Sequence, residues 1–195
     1  MKNYLKVVAV MLMCFAGLNN IGFSQSSYKI QGTQAVEMKL KGTSSLHDWE
    51  MNAKSATGAA KFTLKSEKEL VSLQALSFAL EVTNLKSEKK GLDKNAYKAL
   101  KSDKFKDIRY TLTSATLLPG KDGYLFKTKG KLTVAGTTKE ISMNIYCIVN
   151  ADGSITCKGS YKLNMTDYNV TPPSFMGAMK TGNAISLDFK VIYKK

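Results

Sequence analysis

Apolar and polar residues alternate one by one along most of this chain, and this alternation constrains its fold more than any other feature. In the longest run, near the end of the sequence, every second residue is apolar: Ile185, Leu187, Phe189, Val191 and Tyr193. Shorter runs cover residues 36–41 and 108–112. Period-two alternation is typical of a β-strand with one buried face and one solvated face. The sequence therefore predicts an antiparallel all-β protein whose inner face either packs solid or encloses an apolar cavity.

Nine segments are predicted to be strands, most of them joined by short turns that contain Gly or Asp. They cover residues 34–42, 46–53, 56–65, 70–85, 107–118, 123–135, 138–149, 154–165 and 184–193. Long neighbouring strands with short connections favour an up-and-down barrel, because closure removes exposed strand edges.

Two segments interrupt the strands. Residues 92–101 carry apolar side chains at Leu92, Ala96, Ala99 and Leu100, a helical spacing that predicts a short amphipathic helix able to cover one end of a barrel. Residues 166–183 contain prolines and glycines and are long for a loop, so we expect a functional rim or lid there.

The first 24 residues are interpreted as a secretory signal peptide. Lys2 and Lys6 precede an apolar stretch at 7–18, and small residues follow at Gly22 and Ser24. The apolar stretch is shorter than the roughly 20 residues that a membrane-spanning helix needs. We therefore expect a single mature domain, residues 25–195, that is exported to the periplasm or, alternatively, secreted.

The charge of the chain is strongly basic. The formal net charge is +14, and loss of the two signal-peptide lysines would leave +12. Such a bias suits an anionic partner, for example an anionic membrane surface. The alternative is that scattered lysines simply keep an exported barrel soluble. Nucleic acid is disfavoured as a partner by the export signal and by the lack of a basic motif interleaved with aromatics.

Residues for catalysis or metal binding are scarce. The chain has one histidine, His47, so zinc and haem sites have little to be built from. No phosphate loop, nucleophile elbow or carboxylate pair stands out. His47 and Asp48 are neighbours on a predicted strand and would point to opposite faces, with His47 inward beside Trp49. His47 is then either a structural histidine near a barrel end or a polar contact to a ligand. No cofactor, metal or enzymatic activity is predicted.

Two cysteines remain after signal cleavage, Cys147 and Cys157. A type I turn with Gly153 in the left-handed bulge position would place Asn150 opposite Ser154 and Cys147 opposite Cys157. A two-residue Asp-Gly turn would instead place Cys147 opposite Lys158. A cross-strand disulfide is predicted for the first turn, and two buried free thiols are the alternative.

Four segments taken together resemble the YceI-like family of exported bacterial proteins. They are Ser44-Ser-Leu-His-Asp-Trp49, Leu92-Asp-Lys-Asn-Ala-Tyr-Lys-Ala-Leu100, Gly130-Lys-Leu-Thr-Val-Ala-Gly-Thr-Thr-Lys-Glu140 and Met165-Thr-Asp-Tyr-Asn-Val-Thr-Pro-Pro173. The resemblance implies an eight-stranded, or nine-stranded, antiparallel lipocalin-like β-barrel with one short helix inserted between strands and a long interior pocket. It also implies a polyisoprenoid ligand, such as an isoprenoid quinone or a polyprenyl phosphate, because some members of the family hold one.

Three functions follow as hypotheses. The first is a periplasmic lipid-binding protein that holds an isoprenoid chain, or another long apolar ligand, for transport, storage or sequestration. The second is a non-catalytic stress-response or envelope protein with a filled barrel that acts through its basic surface. The third is a lipid isomerase or hydrolase, which only His47, Asp48 and Asp167 could serve.

The inward-facing positions of the alternating strands and the family resemblance together predict the ligand-binding residues. They are His47, Trp49, Phe78, Tyr110, Leu112, Phe126, Met143, Tyr161 and Phe189, with Phe175 and Met176 as an apolar flap. The polar head group is expected near one rim, beside His47 and the 166–183 segment. The small inward residues Gly130 and Gly159 are expected to leave room for the ligand.

Overall fold

The computed structural model describes residues 24–32, 34–118, 123–175 and 179–195. The strands in these ranges are β1 (Ser24–Ile30), β2 (Val36–Ser44), β3 (Trp49–Ala53), β4 (Thr57–Ser66), β5 (Glu69–Glu81), β6 (Asp107–Leu118), β7 (Tyr124–Val134), β8 (Thr137–Val149), β9 (Ile155–Asn164), β10 (Ser174–Phe175) and β11 (Met179–Lys194). One α-helix, α1 (Lys90–Ala99), and two short 3-10 helices, Val82–Asn84 and Met165–Tyr168, complete the elements. None of the helices in the described ranges has the length and apolar character required to cross a bilayer.

The strands form a closed antiparallel ring. From β4 to β9 each strand pairs with the next, and β9 pairs with β11. Strand β11 then pairs with both β1 and β2, while β1 pairs with β4 and β2 with β3. Thus β1 and β2 share one position in the ring, β3 and β4 share the next, and the ring has eight positions. The predicted eight-stranded antiparallel barrel with one inserted helix is confirmed.

Several strand predictions were wrong, including the end of β5, which lies at Glu81 and not at residue 85. Strand β1 was missed because residues 24–30 are mostly polar; pairing with β4 and β11 makes this segment a strand. Strand β11 begins at Met179, ahead of the predicted 184, because it forms a hairpin with β10. His47 and Asp48 lie in a turn before β3, not on a strand. Ser44 holds this turn: its Oγ donates to the His47 carbonyl at 2.7 Å.

One end of the ring is filled by aromatic side chains. Tyr28 and Phe62 meet edge to face with ring centroids 5.4 Å apart, and Phe62 and Tyr193 meet similarly at 6.3 Å. Edge-to-face pairs add about 0.5–1.5 kcal/mol beyond the area they bury. Phe126, near the start of β7, is also fully buried. This end of the ring is therefore solid core.

Helix α1 covers the other end, as the sequence predicted, although it begins two residues earlier than expected. Asp93 accepts hydrogen bonds from the backbone N–H and the hydroxyl of Ser87, both at 2.7 Å, which holds the entry to the helix. The Tyr97 hydroxyl donates to the Leu85 carbonyl at 2.7 Å. These bonds fasten the helix to the segment that follows β5 and turn its apolar face toward the ring interior.

Glycines on the inner face lie under aromatic rings of neighbouring strands. A Cβ at Gly130 would collide with the Tyr110 ring, and one at Gly159 would collide with the Phe189 ring. Gly42 lies in the same way under Trp49. The expectation that Gly130 and Gly159 leave room for a ligand was therefore wrong, because residues on neighbouring strands fill the space.

The turn between β8 and β9 is the first of the two predicted turns, the one that places Cys147 opposite Cys157. The Asn150 N–H donates to the Ser154 carbonyl at 2.8 Å, and Gly153 has a φ of 76°. Cys147 therefore lies opposite Cys157, and the alternative register with Lys158 is excluded. The two sulfurs are 3.3 Å apart, so the thiols are not bonded in this structure.

We expect Gly130→Ala to lower the free energy of unfolding by about 1–3 kcal/mol, because the added methyl group must displace the buried Tyr110 ring. The matched control is Gly91→Ala in α1, where a Cβ meets nothing within 4 Å. Removing a helical glycine there is expected to raise stability by up to about 0.5–1 kcal/mol. Urea denaturation followed by circular dichroism measures both. Equal effects of the two substitutions would contradict the packing of Tyr110 over Gly130.

We expect Cys147 and Cys157 to form a disulfide in an oxidising compartment. Because Asn150 and Ser154 form a hydrogen-bonded pair, Cys147 and Cys157 occupy a non-hydrogen-bonded pair, where Cα atoms are about 4.5 Å apart, a spacing that a disulfide tolerates. The short loop predicts about 2–3 kcal/mol of stabilisation.

The disulfide is measured by alkylating unreduced protein after denaturation. Denaturation is needed because the hydrogen bond with Cys147, and then burial, raise the pKa of the Cys157 thiol and slow its reaction in the folded state. Absence of alkylated thiols, with a loss of stability on reduction, is the expected result. The Cys147→Ala variant is the control, since reduction should not change its stability. Two alkylated thiols in exported wild-type protein would refute the disulfide.

Candidate functional site: a cavity inside the strand ring

The ring encloses a cavity of about 760 Å³ between the solid end and helix α1. This volume lies within the range of roughly 300–1,000 Å³ that small-molecule sites occupy. The wall is mostly apolar and comes from nearly all of the strands, with Leu40, Met51, Leu132 and Leu187 as examples. Inward alternation thus produces core at one end of the ring and a cavity wall at the other.

Helix α1 contributes a part of the wall that the sequence did not assign to the ligand. Its apolar residues toward the cavity are Leu92, Ala96 and Ala99, and Leu100 follows directly after the helix; Gly91 and Asn95 line the cavity as well. The helical spacing of these residues was the available signal. Tyr168 and Val170, which follow β9, also line the cavity and were missed, because an irregular segment carries no alternation to indicate its buried side.

Most predicted ligand-binding residues lie in the cavity wall. They are His47, Trp49, Phe78, Tyr110, Met143, Tyr161 and Phe189. Leu112 and Phe126 do not line the cavity, and the prediction is corrected for both. Phe126 is buried in the solid core, and Leu112 lies opposite Gly130 just before an irregularity in β6. Met176 and the side chain of Phe175 lie outside the described part of the chain.

The mouth of the cavity carries its charged groups. His47 is exposed there, with its Nε2 3.4 Å from Lys89 Nζ. Behind it, Trp49 Nε1 donates to the Thr43 carbonyl at 3.1 Å, which holds the indole in the wall. The expectation that His47 faces inward from a strand was wrong because the Ser44 turn carries it to the rim. Pro173, Ser174 and Thr181, which belong to the described parts of the 166–183 segment, lie at the same mouth.

In the described part of the chain, Asp48 and Asp167 do not form a catalytic group with His47. Asp48 and Asp167 are exposed, and within the described ranges no hydrogen bond joins either to His47. No cluster of three His, Cys, Asp or Glu side chains that could hold a metal ion occurs among residues 24–32, 34–118, 123–175 and 179–195. Among the described residues, His47 therefore has Lys89 as its hydrogen-bonding neighbour and no carboxylate.

Four phenol hydroxyls are among the polar groups of the cavity wall. Tyr110, Tyr161, Tyr168 and Tyr193 all line it. Burial, reinforced by Tyr161 and Asp167, raises the pKa of Tyr168 to about 12. Burial also raises the pKa of Tyr110, Tyr161 and Tyr193. These groups remain protonated at neutral pH and offer neutral hydrogen-bond donors.

Several solved structures share the fold. BcnA of Burkholderia cenocepacia is similar with a TM-score of 0.65 at 11% identity, over 80% of this chain and 95% of that one. A YceI protein of Campylobacter jejuni gives 0.60 at 19% identity, over 74% and 84% of the two chains. A polyisoprenoid binding domain of Saccharophagus degradans, implicated in plant cell wall breakdown, gives 0.65 at 9% identity, over 88% and 99%.

Sequence comparison leads to the same fold family. No curated protein is significantly similar in sequence to this chain. The family model of the YceI-like domain, however, matches residues 20–193, a range that begins before β1 and ends at the penultimate residue of β11. By this match, and by the closed ring with its inserted helix, the chain belongs to the YceI-like family.

Proposed function

We propose that this protein is an exported, periplasmic lipid-binding protein that holds an isoprenoid chain inside the strand ring. The observation that carries the proposal is the apolar cavity of about 760 Å³ enclosed between the aromatic core and helix α1. Transport, storage and sequestration of the lipid are all compatible with such a site.

Burial of the hydrocarbon tail supplies the driving force. Each methylene group removed from water contributes about 0.8 kcal/mol, so a long isoprenoid chain needs few polar contacts to bind tightly. The Saccharophagus degradans domain, described as polyisoprenoid binding, supports the same ligand class for this chain.

The protein is proposed to bind its ligand without chemical conversion. Its wall offers apolar groups and neutral phenols, and His47 is an exposed rim residue that neighbours Lys89. The cavity also argues against the second hypothesis of a filled barrel, because the interior is open.

The basic outer face is proposed to bring the protein to an anionic membrane surface, where such lipids reside. Among the described residues, five ion pairs engage Lys39, Lys41, Lys65, Arg109 and Lys190. Loss of Lys2 and Lys6 with the proposed signal peptide would leave 27 of the 29 basic residues, and most of these lie outside the five ion pairs, so positive charge remains available to an anionic surface.

We expect Ala96→Phe to weaken binding of tritiated geranylgeraniol at least about tenfold, or 1.4 kcal/mol, because the phenyl ring occupies the cavity from α1. The matched control is Lys94→Phe, which adds the same ring on the exposed side of the same helix and should leave affinity unchanged. Equilibrium dialysis gives both affinities, and circular dichroism verifies folding. Wild-type affinity in folded Ala96→Phe protein would show that the cavity is not the lipid site.

We also expect the protein to sediment with phosphatidylglycerol vesicles and not with phosphatidylcholine vesicles at low ionic strength. Binding should fall steeply toward about 0.5 M salt, since screening shortens the reach of surface charges. Equal sedimentation with both lipids would contradict a role for the basic surface.

A further inference from the structure

Helix α1 and the residues on either side of it concentrate positive charge at the end of the ring that the helix covers. Residues 86–106 contain eight lysines and three carboxylates. One of the carboxylates, Asp93, is buried and accepts hydrogen bonds from Ser87. None of the eight lysines belongs to an ion pair in the described part of the chain. The outer side of this end is therefore strongly cationic.

Three of these lysines form a row on the solvent side of α1. Lys90, Lys94 and Lys98 are exposed and lie four residues apart, and the apolar residues of the helix point to the opposite side, toward the cavity. Like charges at this spacing are neighbours on the helix surface and destabilise the helix. Because no carboxylate is paired with them among the described residues, helix stability does not account for the row. An anionic partner does account for it.

An exposed leucine lies beside this cationic surface. Leu46 is 67% exposed, the largest exposed fraction among the large apolar side chains of the described ranges. Its turn is held on two sides: the Ser45 N–H donates to the Lys180 carbonyl at 3.0 Å, and His47 Nε2 lies 3.4 Å from Lys89 Nζ, next to the start of α1. Leu46 is therefore fixed in solvent between lysines of two different elements, next to the mouth of the cavity.

Cations around an exposed apolar side chain suit the surface of an anionic bilayer. The lysines attract the negative head groups, and the leucine can enter the boundary of the acyl chains, which a soluble polyanion does not offer. The rim also carries Asp48 and Glu88. The lysines of residues 86–106 outnumber the carboxylates of that segment, so attraction to a negative interface prevails.

The side of the ring has a second row of lysines without this combination. Lys127, Lys129 and Lys131 are exposed on the outer face of β7. Lys131 lies opposite Glu140 of β8, which offsets part of its charge. The exposed leucine nearest to this row, Leu117 of β6, is only 38% exposed. The row has the same number of lysines as the row on α1 and supplies a matched control.

We propose that the end of the ring covered by α1 is the face that docks on an anionic bilayer. Lys90, Lys94 and Lys98 contact the head groups, and Leu46 inserts among the acyl chains. The mouth of the cavity then faces the bilayer, and an apolar chain passes between the two without crossing water. This inference rests on the attraction to anionic membranes in the proposed function and adds the docking face and the orientation.

The first test removes the row on α1. A variant that combines Lys90→Gln, Lys94→Gln and Lys98→Gln is expected to bind phosphatidylglycerol vesicles at least about tenfold more weakly than the wild type, because each lysine near an anionic surface contributes to binding. Sedimentation at one low salt concentration measures the affinity. These three lysines do not line the cavity, so equilibrium dialysis should show wild-type affinity for geranylgeraniol. Circular dichroism verifies folding.

The control removes the same charge from the side of the ring. A variant that combines Lys127→Gln, Lys129→Gln and Lys131→Gln is expected to bind the vesicles less than about threefold more weakly, because lysines farther than a Debye length from the bilayer are screened. The two variants have the same net charge, so a difference between them reports the position of the lysines and not their number.

The second test detects insertion of the leucine. Leu46→Trp is expected to show additional fluorescence quenching by brominated phosphatidylglycerol vesicles compared with the wild type, whose one tryptophan is Trp49. Leu117→Trp is the matched control, because it adds the same side chain at the other exposed leucine and keeps Trp49 as a common background. It is expected to show no additional quenching.

The outcomes separate this inference from the proposed function. Equal losses in the two triple variants, or no additional quenching in Leu46→Trp, would overturn the docking face while a general attraction to anionic membranes stands. Binding of the wild type to soluble inorganic polyphosphate that is as tight as binding to the vesicles, without quenching in Leu46→Trp, would assign the surface to a soluble polyanion. If the wild type fails to bind phosphatidylglycerol vesicles, the membrane attraction of the proposed function is itself refuted, and geranylgeraniol binding tests the cavity independently.

Discussion

Closure of the ring by β11 is the interaction on which the rest of the structure depends. This strand pairs with β9 along one edge and with both β1 and β2 along the other. Without it, β9 and the β1/β2 position would be open edges, and the inner face would be exposed to water. Because the ring closes, inward side chains must either fill the interior or surround a space, and this protein does both at opposite ends. Helix α1 then needs to cover only one opening.

Alternation in the sequence predicted which side of a strand is buried but not how deep a residue lies. Phe126 and Tyr161 follow the same inward pattern, yet the first is in solid core and the second lines the cavity. The position of an inward residue along the ring axis depends on the tilt of its strand and on its neighbours in adjacent strands. The alternation within one strand carries no information about either. Gly130 shows the same limit, since its space is filled by Tyr110 from β6.

Other differences arose where tertiary contacts outweigh local pattern. Residues 24–30 are mostly polar, and only the partners on β4 and β11 make them a strand. His47 belongs to a turn because Ser44 bonds to its backbone. In contrast, β6 to β9 matched their predicted boundaries within a residue, because short turns limit where such strands can end. Turn chemistry left two registers open for Cys147, and the Asn150–Ser154 hydrogen bond with Gly153 at positive φ selects the register in which Cys147 lies opposite Cys157.

The pairs formed by an aromatic ring and a glycine on neighbouring strands have an evolutionary consequence. The Trp49 ring fills the space that a side chain at Gly42 would need, and the Phe189 ring does the same at Gly159. In each pair the combined volume of the two residues is therefore limited. A larger residue at either glycine is tolerated only if its partner shrinks, so substitutions at the two positions should occur together in relatives. Such paired substitutions would move the larger side chain from one strand to its neighbour, and the strand pairing of the ring would stay the same. A single scaffold can thereby reshape its interior for ligands of different length without altering its strand topology.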